Sequence, residues 1–178
     1  MRPVRLVSLL ALATMAPAGA ADTVQPVAQA DAYVAVPGST FHADNAHVYR
    51  VVFDARQGAD KPDKLAPAVN LAASELNTLA AHGVKRANLQ MAVVFHARAS
   101  NEAVLDNAHY RAKYGVDNPN LPVLAQLKSQ GVELYVCGQS LLADGVALDA
   151  VTPEVTLAED GLIVLMTFGS QGYALLTF

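Results

Sequence analysis

Short apolar runs alternate with segments of helical periodicity along most of the chain, and this alternation restricts the fold more than any other feature. Runs with the β-branched and aromatic bias of strands occupy residues 47–53, 89–95, 132–136, 155–157 and 173–178. Helical spacing or helix signals occupy the intervals between them. Strands that alternate with helices predict an α/β protein, with a mostly parallel five-stranded sheet between layers of helices.

Several residues mark where the predicted helices begin and end. Gly83 stops the helix that starts near residue 69, and residues 107–114 form a short helix of their own. Asn120 is predicted to cap a helix that has Pro122 in its first turn. Asp160 suits the positive end of a further helix that runs to about Ser170.

The first twenty residues have the layout of a secretory signal peptide. Arg2 and Arg5 form a basic n-region, residues 6–13 are apolar, and residues 18–20 read Ala-Gly-Ala, a small-residue cleavage site. An uncleaved membrane anchor is the alternative, but the apolar run is shorter than the roughly 20 residues that a bilayer span requires. We therefore expect a signal peptide over residues 1–20 and a periplasmic or secreted protein with no remaining membrane span.

The segment that follows is predicted to be an N-terminal arm or linker over residues 21–45. It is rich in Ala, Pro and Val without a clear period, although residues 33–36 could add an edge strand. Residues 46–178 form the α/β domain, which is large enough to bury a core without disulfides.

Composition excludes several functional classes. The net charge is −4 and no Lys/Arg cluster is present, so the chain lacks the positive surface of a nucleic-acid-binding protein. The five histidines show no metal-ligand spacing, and no glycine-rich nucleotide fingerprint occurs. Ser140 lacks the second glycine of a serine-hydrolase elbow. We expect neither a metal site nor a cofactor.

Cys137 is the single cysteine of the chain, so it cannot form an internal disulfide. It follows the predicted strand 132–136 and precedes a predicted helical turn. If residues 139–143 are helical, their free amides and dipole stabilise a thiolate, the reactive form. The alternative is an inert, buried cysteine that acts as a small apolar residue.

Three chemically active side chains stand at the carboxyl ends of predicted strands. They are Asp54, His96 and Cys137. In parallel sheets the ligand crevice lies beyond these ends, so the three residues are candidates for one shared site.

A set of short motifs, in order, resembles one known family. The motifs are Val51-Val52-Phe53-Asp54, Leu76-Asn77, Val93-Val94-Phe95-His96, Tyr110-Arg111, Tyr114-Gly115, Asn118-Pro119-Asn120, Gly131-Val132, Tyr135-Val136-Cys137-Gly138 and Gln171-Gly172-Tyr173. From about Val48 onward the chain resembles the DsrE/DsrF family of sulfur-relay proteins. One departure is Ala97, where the family often has glycine.

The resemblance implies a three-layer α/β/α fold, a homotrimer or homohexamer, and a cysteine that carries sulfur as a persulfide between donor and acceptor proteins. Cys137 would hold the sulfane sulfur, and His96 would supply a proton or a hydrogen bond. The remaining candidate binding residues are Gly138, Gln139, Ser140, Asp54 and Asn118. The sequence thus predicts an exported sulfur carrier or sulfurtransferase. A non-catalytic module that binds a small ligand or a partner is the alternative.

Overall fold

The computed structural model describes residues 25–178, so the predicted signal peptide lies outside the described residues. The described chain forms a five-stranded sheet in the order β4-β3-β2-β1-β5. Its strands are β1 (Tyr49–Ala55), β2 (Leu89–Phe95), β3 (Glu133–Cys137), β4 (Thr156–Ala158) and β5 (Ala174–Thr177). Every pairing in this sheet is parallel, which confirms the predicted α/β class and makes the sheet fully rather than mostly parallel.

Helices cover both faces of the sheet. They are α1 (Pro67–Ala81), α2 (Ala97–Ser100), α3 (Asn107–Tyr114), α4 (Asn120–Ser129), α5 (Gly138–Ala143) and α6 (Gly161–Ser170), with 3₁₀ turns at Arg86–Asn88 and Leu148–Ala150. The chain moves in one direction from β1 to β4, so right-handed connections place the intervening helices on one face. Helix α6 returns from β4 to β5 at the opposite edge and therefore crosses the other face. The result is a three-layer fold.

The core is divided unequally between the two faces. On the α1 and α4 face, a large buried cluster includes Phe53 and Phe95 together with Leu76 and Leu124. On the α6 face, the buried cluster consists of Val52, Ala92, Val94 and Phe168. Helix α6 has an apolar outer surface as well, since Leu162, Ile163 and Met166 are 55%, 54% and 65% exposed.

Helix α4 begins differently from the prediction. Its N-cap is Pro119, and Asn120 is the first helical residue. The Asn120 side chain instead accepts a hydrogen bond from the Ala66 N–H at 2.8 Å and donates one to Asn118 at 2.8 Å. A tertiary contact with the segment before α1 has replaced the expected local cap. The prediction for α6 is confirmed, because Asp160 caps it by accepting from the Leu162 N–H.

The predicted edge strand at residues 33–36 is wrong. Residues 25–48 contain no strand, and Val34 and Val36 are 77% and 69% exposed. The arm is held instead against α1, where Asn77 accepts from the Val27 N–H at 2.9 Å and donates to its carbonyl at 3.0 Å. This anchor directs the arm across the helix layer rather than along a sheet edge.

Among the helices of residues 25–178, none combines the length and the apolar character needed to cross a membrane.

Candidate functional site

The sheet register brings the three strand-end residues to one edge. Phe95 of β2 pairs with Val136 of β3, so His96 and Cys137, each one residue later, are neighbours at the carboxyl edge. Asp54 lies near the end of β1, opposite Val94. Because alternate residues of a strand share a face, all three side chains point to the α6 face of the sheet. The predicted convergence is present in the structure.

Asp54 and His96 form a pair at this edge. Nε2 of His96 is hydrogen-bonded to Oδ1 of Asp54, and the Thr177 hydroxyl donates to Oδ2 of the same carboxylate at 3.2 Å. Asp54 is buried, and the His96 side chain is only 14% exposed. The carboxylate fixes the orientation of the ring and favours the proton on Nε2, which leaves Nδ1 as the acceptor of the neutral imidazole.

Cys137 lies beneath the first turn of α6. Its residue is 4% exposed, and its Sγ is 3.9 Å from Oδ1 of Asp160. A Cβ added at Gly161 would lie 3.0 Å from Cβ of Cys137 and 3.6 Å from Cβ of His96. The start of α6 therefore covers both the thiol and the histidine, and it fits there because residue 161 has no side chain.

Helix α5 follows Cys137 directly, as the sequence predicts. Gly138 suits its start, since a Cβ there would lie only 3.0 Å from the carbonyl oxygen of Ala158. The Gln139 N–H, however, donates to the carbonyl of Glu159 at 3.2 Å. That amide is committed to the β4–α6 segment, so it is not free to hydrogen-bond a thiolate at Cys137. The Gln139 residue itself is exposed.

The geometry agrees with a comparison of the sequence with known families. The model of the DsrE/DsrF-like family matches residues 49–178. The chain belongs to the DsrE/DsrF-like family. The strand-end residues Asp54, His96 and Cys137 all lie within the matched part.

A solved structure supports the fold of this DsrE/DsrF-like chain. It is that of a protein of unknown function, MTH1491, from Methanobacterium thermoautotrophicum, with 19% sequence identity and a TM-score of 0.53. The match covers 73% of this chain and 99% of the other. At this identity the likeness concerns the fold alone. No curated protein matches the chain.

Ser140 acts on the backbone beside His96. Its Oγ accepts a hydrogen bond from the Ala97 N–H at 3.2 Å. Ala97 has a φ of 48°, in the left-handed region that L-residues adopt at a cost. Ser140 thus helps to fix the turn that follows the site histidine.

Asn118, a predicted binding residue, is buried and hydrogen-bonded within the loops around α3. It is 2% exposed, and its amide donates to the carbonyls of Ala103 and Leu105 at 3.1 and 2.7 Å. Its Oδ1 accepts from the side chain of Asn120. These bonds fasten the loop between α2 and α3 to the start of α4. Both the amide N–H groups and the Oδ1 atom of Asn118 are therefore hydrogen-bonded within the protein.

Two residues beside the site were missed: Asp160 was predicted only as the start of a helix, and Gly161 was not singled out. Their place beside Cys137 follows from the pairing of β3 with β4, in which Cys137 lies opposite Ala158. Any residue just after β4 must then lie at the same carboxyl edge. The order of the predicted strands contained this information. If the strand after β3 pairs with it in parallel, the residues that follow that strand must lie beside Cys137.

Tyr135 lies on the same face of β3 as Cys137, two residues earlier. Its hydroxyl donates to Oε2 of Glu133 at 2.7 Å. This hydrogen bond, together with burial, raises the pKa of Tyr135 to about 12. Tyr135 therefore stays neutral at physiological pH and is not a general base.

Within residues 25–178 no cluster of three or more His, Cys, Asp or Glu side chains could hold a metal ion.

Proposed function

We propose that this DsrE/DsrF-like protein is a thiol-based sulfur carrier or sulfurtransferase that holds sulfane sulfur on Cys137. One observation carries the proposal. The only thiol of the chain lies next to an oriented histidine, at the carboxyl edge where α/β sheets bind ligands.

The proposed reaction transfers one sulfur atom without net oxidation. The Cys137 thiolate attacks the outer sulfur of a donor persulfide, R–S–SH. A bond forms between Sγ and that sulfur while the S–S bond of the donor breaks, and the donor leaves as the thiolate RS⁻. The proton that Cys137 lost goes to this leaving group. His96, with Nδ1 free of the Asp54 bond, is the proposed carrier of that proton.

Access to the thiol is part of the proposal. Cys137 is 4% exposed, and the first turn of α6 covers it. A donor persulfide therefore reaches Sγ only if this turn shifts outward. The outer residues of α6 next to this turn, Leu162, Ile163 and Met166, are exposed, so such a shift does not pull them out of the core.

The alternative function is a non-catalytic module that binds a small ligand or a partner. The burial of Cys137 favours it, because a buried cysteine can act as a small apolar side chain in the core. A groove of about 320 Å³ is a candidate binding region, and its apolar lining includes Val51, Leu79, Met91 and Leu176. This groove lies on the α1 face, away from Cys137.

Intact-mass spectrometry distinguishes the two functions. After incubation with inorganic polysulfide and removal of excess reagent, a carrier gains the mass of one sulfur atom, and a thiol reductant removes it. Cys137→Ser is the control and should gain nothing while keeping its circular dichroism. If the wild-type protein carries no added sulfur, either as purified or after incubation with polysulfide, the result would favour the binding module.

We also propose that the protein assembles as a homotrimer or homohexamer. The exposed apolar residues on the outer side of α6, Leu162, Ile163 and Met166, support a self-association surface. Light scattering should give a trimeric or hexameric mass, which Ile163→Asp should reduce. Ile163→Leu is the matched control. A wild-type monomer at micromolar concentration would contradict the assembly.

Export is the third element of the proposal. The Arg2 and Arg5 region, the apolar run and the Ala-Gly-Ala site support removal of residues 1–20 and a periplasmic or secreted location. N-terminal sequencing of protein from the exporting cell should begin within a few residues of Ala21. An intact Met1 in the membrane fraction would overturn this expectation.

A further inference from the structure

A cavity of about 330 Å³ opens on the α6 face of the sheet, where α6 passes the start of β3. Strand β3 contributes Glu133 and Tyr135 to its lining, and the turn after α6 contributes Gln171 and Tyr173. The other lining residues come from α6 and are Ile163, Val164, Thr167 and Phe168. This cavity shares no lining residue with the groove beside α1.

Three aromatic rings form adjoining walls of the cavity. The centroid of the Phe168 ring lies 6.0 Å from that of Tyr135 and 4.8 Å from that of Tyr173. The two tyrosine rings are inclined to the Phe168 ring by 58° and 67°, so the three rings do not form a flat stack. Phe168 is buried, whereas both tyrosines are half-buried and accessible from the cavity. Angled rings around a shared space attract a cation from more than one side.

Glu133 is the charged residue of this lining. Its Oε2 accepts a hydrogen bond from the Tyr135 hydroxyl at 2.7 Å, which leaves Oε1 for a further partner. Lys128 lines a neighbouring depression with Glu133, but no salt bridge joins the two within residues 25–178. Arg50 of β1 donates to Gln90 at 2.8 Å and does not line the cavity. The lining therefore carries a negative charge and no positive charge.

We propose that this cavity is a binding site for an organic cation with a methylated ammonium group, held by the three aromatic rings and the Glu133 carboxylate. Methyl groups on the nitrogen suit such a lining, because they contact aromatic carbon while the charge is attracted to the rings. A primary ammonium ion is more strongly hydrated, and Oε1 of Glu133 alone does not replace its water. Cys137 and its sulfur chemistry are not required for this binding.

Choline is the probe that tests the site. Its neutral control is the alcohol of the same shape in which a carbon atom replaces the nitrogen. Titrations followed by proton NMR should show that choline binds about tenfold more tightly than this alcohol, with its methyl resonances shifted by the ring currents. Ethanolamine, which carries a primary ammonium group, should bind more weakly than choline. Equal affinities for choline and the alcohol, or no choline binding at tens of millimolar, would overturn the inference.

A charge variant locates the carboxylate that matters. Glu133→Gln keeps the size of an exposed side chain and removes its charge, so the affinity for choline should fall about fivefold. Glu75→Gln is the matched control, since it removes an exposed carboxylate from the groove beside α1. This control should leave the affinity unchanged. Equal losses in the two variants, or no loss in Glu133→Gln, would contradict a site at this cavity.

Ring variants separate the aromatic wall from its hydroxyl group. Tyr135→Leu removes a ring and should weaken choline binding at least about threefold, whereas Tyr135→Phe keeps the ring and should bind within about twofold of the wild type. Circular dichroism checks that each variant folds. If Tyr135→Leu does not fold, Tyr173→Leu makes the same test from the turn after α6. Undiminished binding in a folded leucine variant, or an equal loss in Tyr135→Phe, would show that the rings do not hold the cation.

Discussion

The imidazole of His96 is hydrogen-bonded through Nε2 to Oδ1 of Asp54, a residue 42 positions earlier in the chain. The two meet because β1 and β2 are parallel and in register, with Ala55 opposite Phe95. The pair therefore links two strands at the carboxyl edge of the sheet, and it orients the histidine next to Cys137.

Removing the charge of Asp54 should destabilise this edge. Asp54→Asn weakens the charged hydrogen bonds from His96 and Thr177, and we expect the free energy of unfolding to fall by about 1–3 kcal/mol. Thr177→Val removes a single, more exposed bond and should cost less than about 1 kcal/mol. Urea denaturation measures both. Equal losses in the two variants would contradict a central role for the carboxylate.

Two glycines of α6 should respond to alanine with opposite signs. Gly161→Ala places a Cβ 3.0 Å from Cβ of Cys137 and 3.3 Å from Cγ1 of Val94, so overpacking should cost about 1–3 kcal/mol. Gly169 has no atom within 4 Å of such a Cβ, and its replacement should stabilise the helix by about 0.5–1 kcal/mol. Thermal unfolding compares them. A stabilised Gly161→Ala would show that α6 is not packed on the thiol.

Ala97→Gly should stabilise the protein. Ala97 has a φ of 48°, and a left-handed conformation costs an L-residue about 1–2 kcal/mol, which exceeds the entropic cost of glycine. We expect a net gain of about 0.5–1 kcal/mol in unfolding free energy. The control is Ala99→Gly in α2, where φ is not positive and the methyl group is buried, so stability should fall.

Asn77 should control the attachment of the N-terminal arm. Asn77→Ala leaves the buried N–H and C=O of Val27 without their partner and should cost about 2–3 kcal/mol. Hydrogen exchange and proteolysis near residues 25–31 should accelerate. Asn70→Ala removes exposed bonds to Asp31 on the same helix and should cost less than about 1 kcal/mol. A larger loss of stability in Asn70→Ala than in Asn77→Ala would contradict the role of Asn77 in holding the arm.

Stability at alkaline pH should depend on Tyr110. Its hydroxyl donates to the carbonyl of Pro62 at 2.9 Å, and burial raises the pKa of Tyr110 to about 12. The folded state thus holds this proton more tightly than the unfolded state, whose tyrosine titrates near 10. The stabilisation is complete below about pH 10 and is lost as pH rises towards 12. Tyr110→Phe should flatten this part of the curve. If the stability of Tyr110→Phe falls equally steeply with pH, the alkaline loss of stability does not come from Tyr110.

Local sequence patterns determined the elements themselves. The strand at residues 89–95 and the helix at residues 107–114 have the predicted limits, because β-branched runs and polar helix signals act over a few neighbouring residues. The same reasoning placed Asp54, His96 and Cys137 at strand ends, and parallel pairing then had to bring them to one edge.

Contacts between distant segments were decided only by the tertiary structure. The sequence could not show that Glu159 engages the Gln139 amide, that Asp160 contacts Cys137, or that Val27 is buried against Asn77. These relations depend on which strands become neighbours and on where α6 crosses the sheet. Periodicity specifies which face of an element is apolar, whereas the partner of each polar group is fixed only when the layers pack together.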